Sequence, residues 1–146
     1  MDPFSISLGV ITLTTLASKA GIELKRLRGS AAETSNNINA MLADLAALKS
    51  VLDLIEVGFE DLDSRAPLTG HIGAHWTALK TTLSDGCDAL QKLELLLLSV
   101  NKDVKVLDST RRAIRLKEAN DQIVMYRQEI QAYKDALQLS FQAVIL

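Results

Sequence analysis

Apolar residues recur along the start of this chain at alternating steps of four and three. Ile6, Val10, Leu13, Ala17, Ala20, Leu24 and Leu27 form the first run, and such spacing lays a stripe along one face of an α-helix. Asp2 before Pro3 offers an N-cap carboxylate and a first-turn proline. Gly29-Ser30 reads as the end of this helix, and Gly21 as a place for a kink. Phe4, Leu8, Ile11 and Leu16 widen the apolar surface beyond what a single inward face needs.

The pattern returns in Ile38, Met41, Leu45, Leu48, Leu52, Ile55 and Phe59, with Ser30 or Thr34 as cap and Gly58 as the end. An acidic connector then runs from Glu60 to Arg65, and Pro67 suits the first turn of a third helix. Its inward positions are Ile72, Trp76, Leu79, Leu83, Leu90, Leu93 and Leu97. Gly86 is a local weakness there, at about 1 kcal/mol against alanine. Asn101 to Ser109 reads as a loop, with Asp108 or Ser109 capping a fourth helix. Leu116, Ala119, Ile123, Tyr126, Ile130, Tyr133, Leu137 and Val144 line that helix.

No useful stretch alternates with β-periodicity. Long helices with short connectors favour antiparallel neighbours. The prediction is an all-α, antiparallel up-down-up-down bundle of four long helices, a single domain over residues 1–146. The apolar ending from Phe141 to Leu146 suggests the N-terminal part of a longer protein.

Composition narrows function mainly by exclusion. A formal net charge of −2 argues against a dedicated nucleic-acid binder, which carries a basic excess. The lone Cys87 forms no internal disulfide and builds no zinc site, which points to an intracellular chain. Residues 3–18 are uncharged, yet Asp2 stands where a secretory signal wants a cation. As a helix they reach about 24 Å, short of a bilayer core of about 30 Å.

Chemistry-bearing constellations are sparse. His71 and His75 share a helix face but lack a third ligand at a supporting spacing. Asp61 and Asp63 sit in the acidic connector, and neither a phosphate loop nor a nucleophile elbow is present. The expectation is a protein that is not an enzyme and needs no metal or cofactor.

Charge placement says more. Lys19, Lys25, Arg26 and Arg28 close the first helix, while Lys102, Lys105, Arg111, Arg112, Arg115 and Lys117 flank the start of the fourth. In an antiparallel bundle these share one pole, opposite Asp53, Glu56, Glu60, Asp61 and Asp63. A solvated basic end accounts for this plainly. A patch for anionic lipid headgroups accounts for it more sharply, at about 1 kcal/mol per basic contact. Ser5 with Gly9, and Ala17 with Gly21, form small-residue pairs of the kind that lets helices approach closely in lipid.

The opening Met-Asp-Pro-Phe-Ser-Ile-Ser-Leu-Gly-Val-Ile-Thr-Leu resembles the start of fungal HeLo-like domains. The likeness extends through Leu-Ala-Ala-Leu-Lys-Ser-Val-Leu at 45–52 and Thr-Arg-Arg-Ala-Ile-Arg-Leu-Lys-Glu at 110–118. Such domains head fungal NOD-like (STAND) receptors and their partner cell-death effectors. They are related to the HeLo domain of heterokaryon incompatibility and to the bundle of the mixed lineage kinase-domain-like executioner. The resemblance implies a cytoplasmic, membrane-targeting, pore-forming execution domain that moves to the plasma membrane on activation. A C-terminal amyloid motif templated by the receptor would drive self-association and free the first helix, here Asp2 to Ala20.

On that implication Phe4, Ile6, Leu8, Gly9, Val10, Ile11, Leu13 and Leu16 insert into membrane. Lys25, Arg26, Arg28, Arg111, Arg112 and Arg115 contact anionic membrane lipids, and nucleic acid is not a partner. The family's glycine-zipper character is present in part, because Gly9 has no glycine four residues away. The alternative is a homotypic signalling domain at the head of a NOD-like receptor, without membrane activity of its own.

Overall fold

In a computed structural model of the chain, the described residues are 3–30, 35–63 and 70–145, with side chains described for 6–29, 36–58 and 77–143. They form four helices: α1 (Pro3–Ser30), α2 (Ser35–Asp63), α3 (Gly70–Val106) and α4 (Ser109–Ile145). There is no strand among the described residues. The molecule is the all-α four-helix bundle that the periodicity predicts.

Chain direction alternates, but each helix has one antiparallel and one parallel neighbour. α1 packs on α2 and α3, α4 packs on α2 and α3, and among the described residues the backbones of the two diagonal pairs stay apart. The order around the ring is therefore α1–α2–α4–α3. Cys87 meets Gly9, and Asn101 meets Glu23, both at an offset of 78 residues. Asn120 meets Asn37, and Arg127 meets Asp44, both at an offset of 83. A constant offset requires two helices running the same way. Two helical hairpins, α1–α2 and α3–α4, thus lie side by side with like helices in contact.

The core follows the predicted stripes. All seven inward positions of α1 are buried, as are Ile38, Met41, Leu45, Leu48, Leu52 and Ile55 of α2. In α3 the buried set includes Leu79, Leu83, Leu90, Leu93 and Leu97. In α4, Ala119, Ile123, Ile130 and Leu137 are buried, while Leu116 and Tyr126 pack on the core partly exposed. Phe59, Ile72, Trp76 and Val144 lie outside the described side chains, and Thr34, Arg65 and Pro67 outside the described residues.

Three local expectations are corrected. Residues 101–109 are not a loop: α3 continues to Val106, and only Leu107 and Asp108 separate it from α4. Val100 and Val104 extend the buried stripe of α3, so the polar residues around them are the outer face of its last turns. Gly58 does not end α2, which runs on to Asp63 and takes in the start of the acidic stretch. The Phe141 ring occupies the space a Cβ would need at Gly58, so this glycine serves packing. Gly21 leaves α1 unbroken and faces Leu42 of α2.

Candidate functional site

The two hairpins meet closely where α1 lies along α3. A Cβ on Gly9 would stand 3.4 Å from Leu83, and one on Gly86 would stand 3.3 Å from Leu13. Each helix thus offers a glycine to a leucine of the other. The Cys87 thiol points at the Gly9 carbonyl, 3.9 Å away, half-buried. Burial first, and then Asp88, push this thiol's pKa up, which disfavours the reactive thiolate.

One charged side chain is buried in this contact. Glu23 accepts from Asn101 Nδ2 at 2.8 Å and from Arg26 at 2.6 Å, and Asn101 also donates to the Glu23 carbonyl at 3.0 Å. Apolar periodicity and charge clustering do not single out this group. A signal existed: Glu23 falls between Ala20 and Leu27 on the inward stripe, and a buried carboxylate needs partners.

The outer side of α1 carries a second stripe. Leu8, Ile11, Thr15, Lys19, Ile22 and Arg26 are exposed at steps of three and four, with Leu8 at 49%, Ile11 at 50% and Ile22 at 51%. Thr15 donates its hydroxyl to the Ile11 carbonyl at 2.9 Å. Its polar atom is thereby satisfied within the helix. The stripe is apolar over its first half and cationic near its end.

Of the residues predicted to insert into membrane, Ile6, Val10 and Leu13 lie in the core, and Leu16 packs partly buried against it. Gly9 is covered by Leu83. Leu8 and Ile11 face outward, and the Phe4 side chain lies outside the described set.

The basic pole forms as charge placement predicts, but its cations divide into two kinds. Arg115 pairs with Asp103 at 2.9 Å and its side chain is only 19% exposed. Arg112 donates to the Leu107 carbonyl at 3.3 Å, and its Nε is buried without a partner. Arg115 thus pins α4 to the end of α3 and Arg112 pins it to the connector, and both are poorly placed to meet a ligand in the folded bundle. Lys25, Arg28 and Arg111 are exposed, with Arg28 donating to Asn39 at 2.9 Å. Asp108 caps α4: the Arg111 amide donates to its carboxylate at 2.9 Å and the Arg112 amide to its carbonyl at 2.8 Å. That carboxylate offsets the unfavourable placement of arginines at a helix N-terminus.

Among the described residues, two grooves lie along α3. One, of about 500 Å³, lies toward α1 and is lined by Glu23, Arg26, Leu98, Asn101, Lys102 and Lys105. The other, of about 430 Å³, lies toward α4 and is lined by Asp85, Asp88, Ala89, Lys92, Tyr126, Glu129 and Tyr133. Burial and then Glu129 raise the Tyr126 pKa, and burial with Glu129, Asp85 and Asp88 raises that of Tyr133.

Among the described residues, no three His, Cys, Asp or Glu side chains are placed to hold a metal ion; the side chains of His71 and His75 lie outside that set. No helix is long and apolar enough, over its described residues, to cross a membrane. Comparison with known proteins found no matching family model, curated protein or solved structure.

Proposed function

We propose that this chain is a membrane-targeting, cell-death execution domain of the HeLo-like kind, with α1 as its effector helix. The observation that carries the reading is the doubled apolar character of α1: a core stripe inward, and Leu8, Ile11 and Ile22 outward and half-exposed. Residues 3–18 hold no charge, and the Thr14 and Thr15 hydroxyls are bonded to helix carbonyls. An apolar medium would therefore meet few unsatisfied polar groups on this surface.

Magnitudes set the order of events. Burying the exposed halves of three large side chains contributes about 3 kcal/mol, and each basic contact to an anionic surface about 1 kcal/mol. Withdrawing α1 from the core exposes Ile6, Val10, Leu13, Leu24 and Leu27, a cost of about 10 kcal/mol. Docking through the outer stripe therefore comes first, with the bundle intact. Release of α1 follows only where lipid or further copies of the chain cover the inner stripe as well. Self-association on activation, under a NOD-like receptor, would supply that cover.

Leakage of dye from anionic vesicles tests the reading. Leu8→Lys with Ile11→Lys lies on the exposed face and leaves the core intact. It should abolish leakage while helix content stays at the wild-type level. Equal leakage by both proteins would refute the role assigned to α1.

A further inference from the structure

Among the described residues, α3 has neighbouring helices only on its α1 and α4 flanks, and its third side is exposed. Ser84, Asp88, Gln91, Leu95, Leu98, Lys102 and Lys105 follow one another there at steps of four and three, and all are exposed. This is the spacing of a coiled-coil seam on a face left exposed by the described residues. Leu95 is 61% and Leu98 42% exposed. Asp88 precedes the two leucines along this stripe, and Lys102 and Lys105 follow them. No side-chain hydrogen bond or ion pair joins Asp85, Asp88, Lys102 or Lys105 to another described residue.

The charges are arranged symmetrically about Leu95. Asp88 lies seven residues before it and Lys102 seven after; Asp85 lies ten before and Lys105 ten after. We propose that a second copy of this chain docks on the outer face of α3, with the two α3 helices antiparallel about a two-fold axis at Leu95. That axis sets Asp88 of each copy opposite Lys102 of the other, and Asp85 opposite Lys105. Leu95 meets Leu95, and Leu98 meets the aliphatic stem of Lys92.

A parallel pairing would set like charges against each other, which selects the antiparallel one. The contact is isologous, so it closes at two copies. It spans about 30 Å of helix. With one helix face contributed by each copy, it belongs at the low end of interface sizes, under about 1,200 Å². The dimer is accordingly weak, and salt opposes it. Leu8, Ile11 and Ile22 of the α1 outer stripe take no part, so the dimer is tested apart from the membrane reading.

Sedimentation equilibrium from micromolar to millimolar protein tests it. The wild type should form dimers that dissociate as salt is raised. Asp85→Lys with Asp88→Lys should weaken self-association about tenfold or more, and so should Lys102→Glu with Lys105→Glu. Mixed one to one, the two variants should form a heterodimer, because each supplies the charge the other has lost.

Leu95→Cys in a Cys87→Ser background should cross-link to a disulfide dimer under mild oxidation. Leu139→Cys, exposed on α4, should not. A wild type that stays monomeric throughout, as expected if a different partner occupies this face, would overturn the proposal. So would charge-reversed variants of native helix content that fail to pair when mixed.

Discussion

Asn101 Nδ2 reaches both the Glu23 carboxylate, at 2.8 Å, and the Glu23 carbonyl, at 3.0 Å, so one amide from α3 holds the charged group buried in α1. Asn101→Leu removes that donor and leaves the carboxylate to Arg26 alone. The expected loss is about 1–3 kcal/mol in chemical denaturation. The double variant Glu23→Leu, Asn101→Leu should recover most of it, because replacing both partners by apolar groups is nearly neutral. Additive losses would show that the contact matters only as packing.

Gly58 and Gly21 should respond oppositely to alanine. Gly21 has open room, with Leu42 3.8 Å from the new methyl, so Gly21→Ala should stabilise the bundle by about 0.5–1 kcal/mol through helix propensity. At Gly58 the methyl would collide with the Phe141 ring. Overpacking of about 1–3 kcal/mol then outweighs the propensity gain, and thermal stability falls. Phe141→Ala removes the obstruction, and in that background Gly58→Ala should become stabilising.

Alkaline pH should weaken the fold. Burial raises the pKa of Cys87, Tyr126 and Tyr133, so the folded state keeps protons that the unfolded chain releases first. Stability is fully present below the unfolded pKa values and declines as pH climbs from about 8.5 through 10 and above. Denaturation midpoints across that range measure the decline. Alkylation of Cys87 should also be slower than that of a free thiol, and Asp88→Asn should quicken it.

Asp44 and Arg127 join α2 to α4 at 2.8 Å, with both side chains largely covered. A double-mutant cycle with Asp44→Ala and Arg127→Ala should return a coupling of about 1 kcal/mol. Coupling near zero would mean that this pair does not help to hold the register between α2 and α4.

Much of this bundle is legible in the positions of leucine and isoleucine. From Ile6 to Leu27 the spacing alone identifies every buried large apolar residue of α1 among those described. Periodicity reports which side of a helix faces inward, not which helix it meets. The parallel pairing of α1 with α3 therefore had no signature before Gly9 was seen against Leu83. Composition misled at 101–109, where Lys102, Asp103 and Lys105 look like loop residues until Val100 and Val104 are known to continue the core. At Gly58 a helix-ending residue was the complement of a ring 83 positions away. As for function, the stripe through Leu8 and Ile11 was visible as excess apolar surface. Its separation from Ile6, Val10 and Leu13 required the fold.

Entry of the α1 outer stripe into lipid is the event on which the proposed function depends. An environment-sensitive fluorophore on Ile11→Cys, in a Cys87→Ser background, reads this directly when anionic vesicles are added. A blue shift with gain in intensity at position 11, absent from a Met125→Cys control on α4, is the predicted result. An unchanged spectrum at position 11, with the protein shown to sediment with the vesicles, would contradict it.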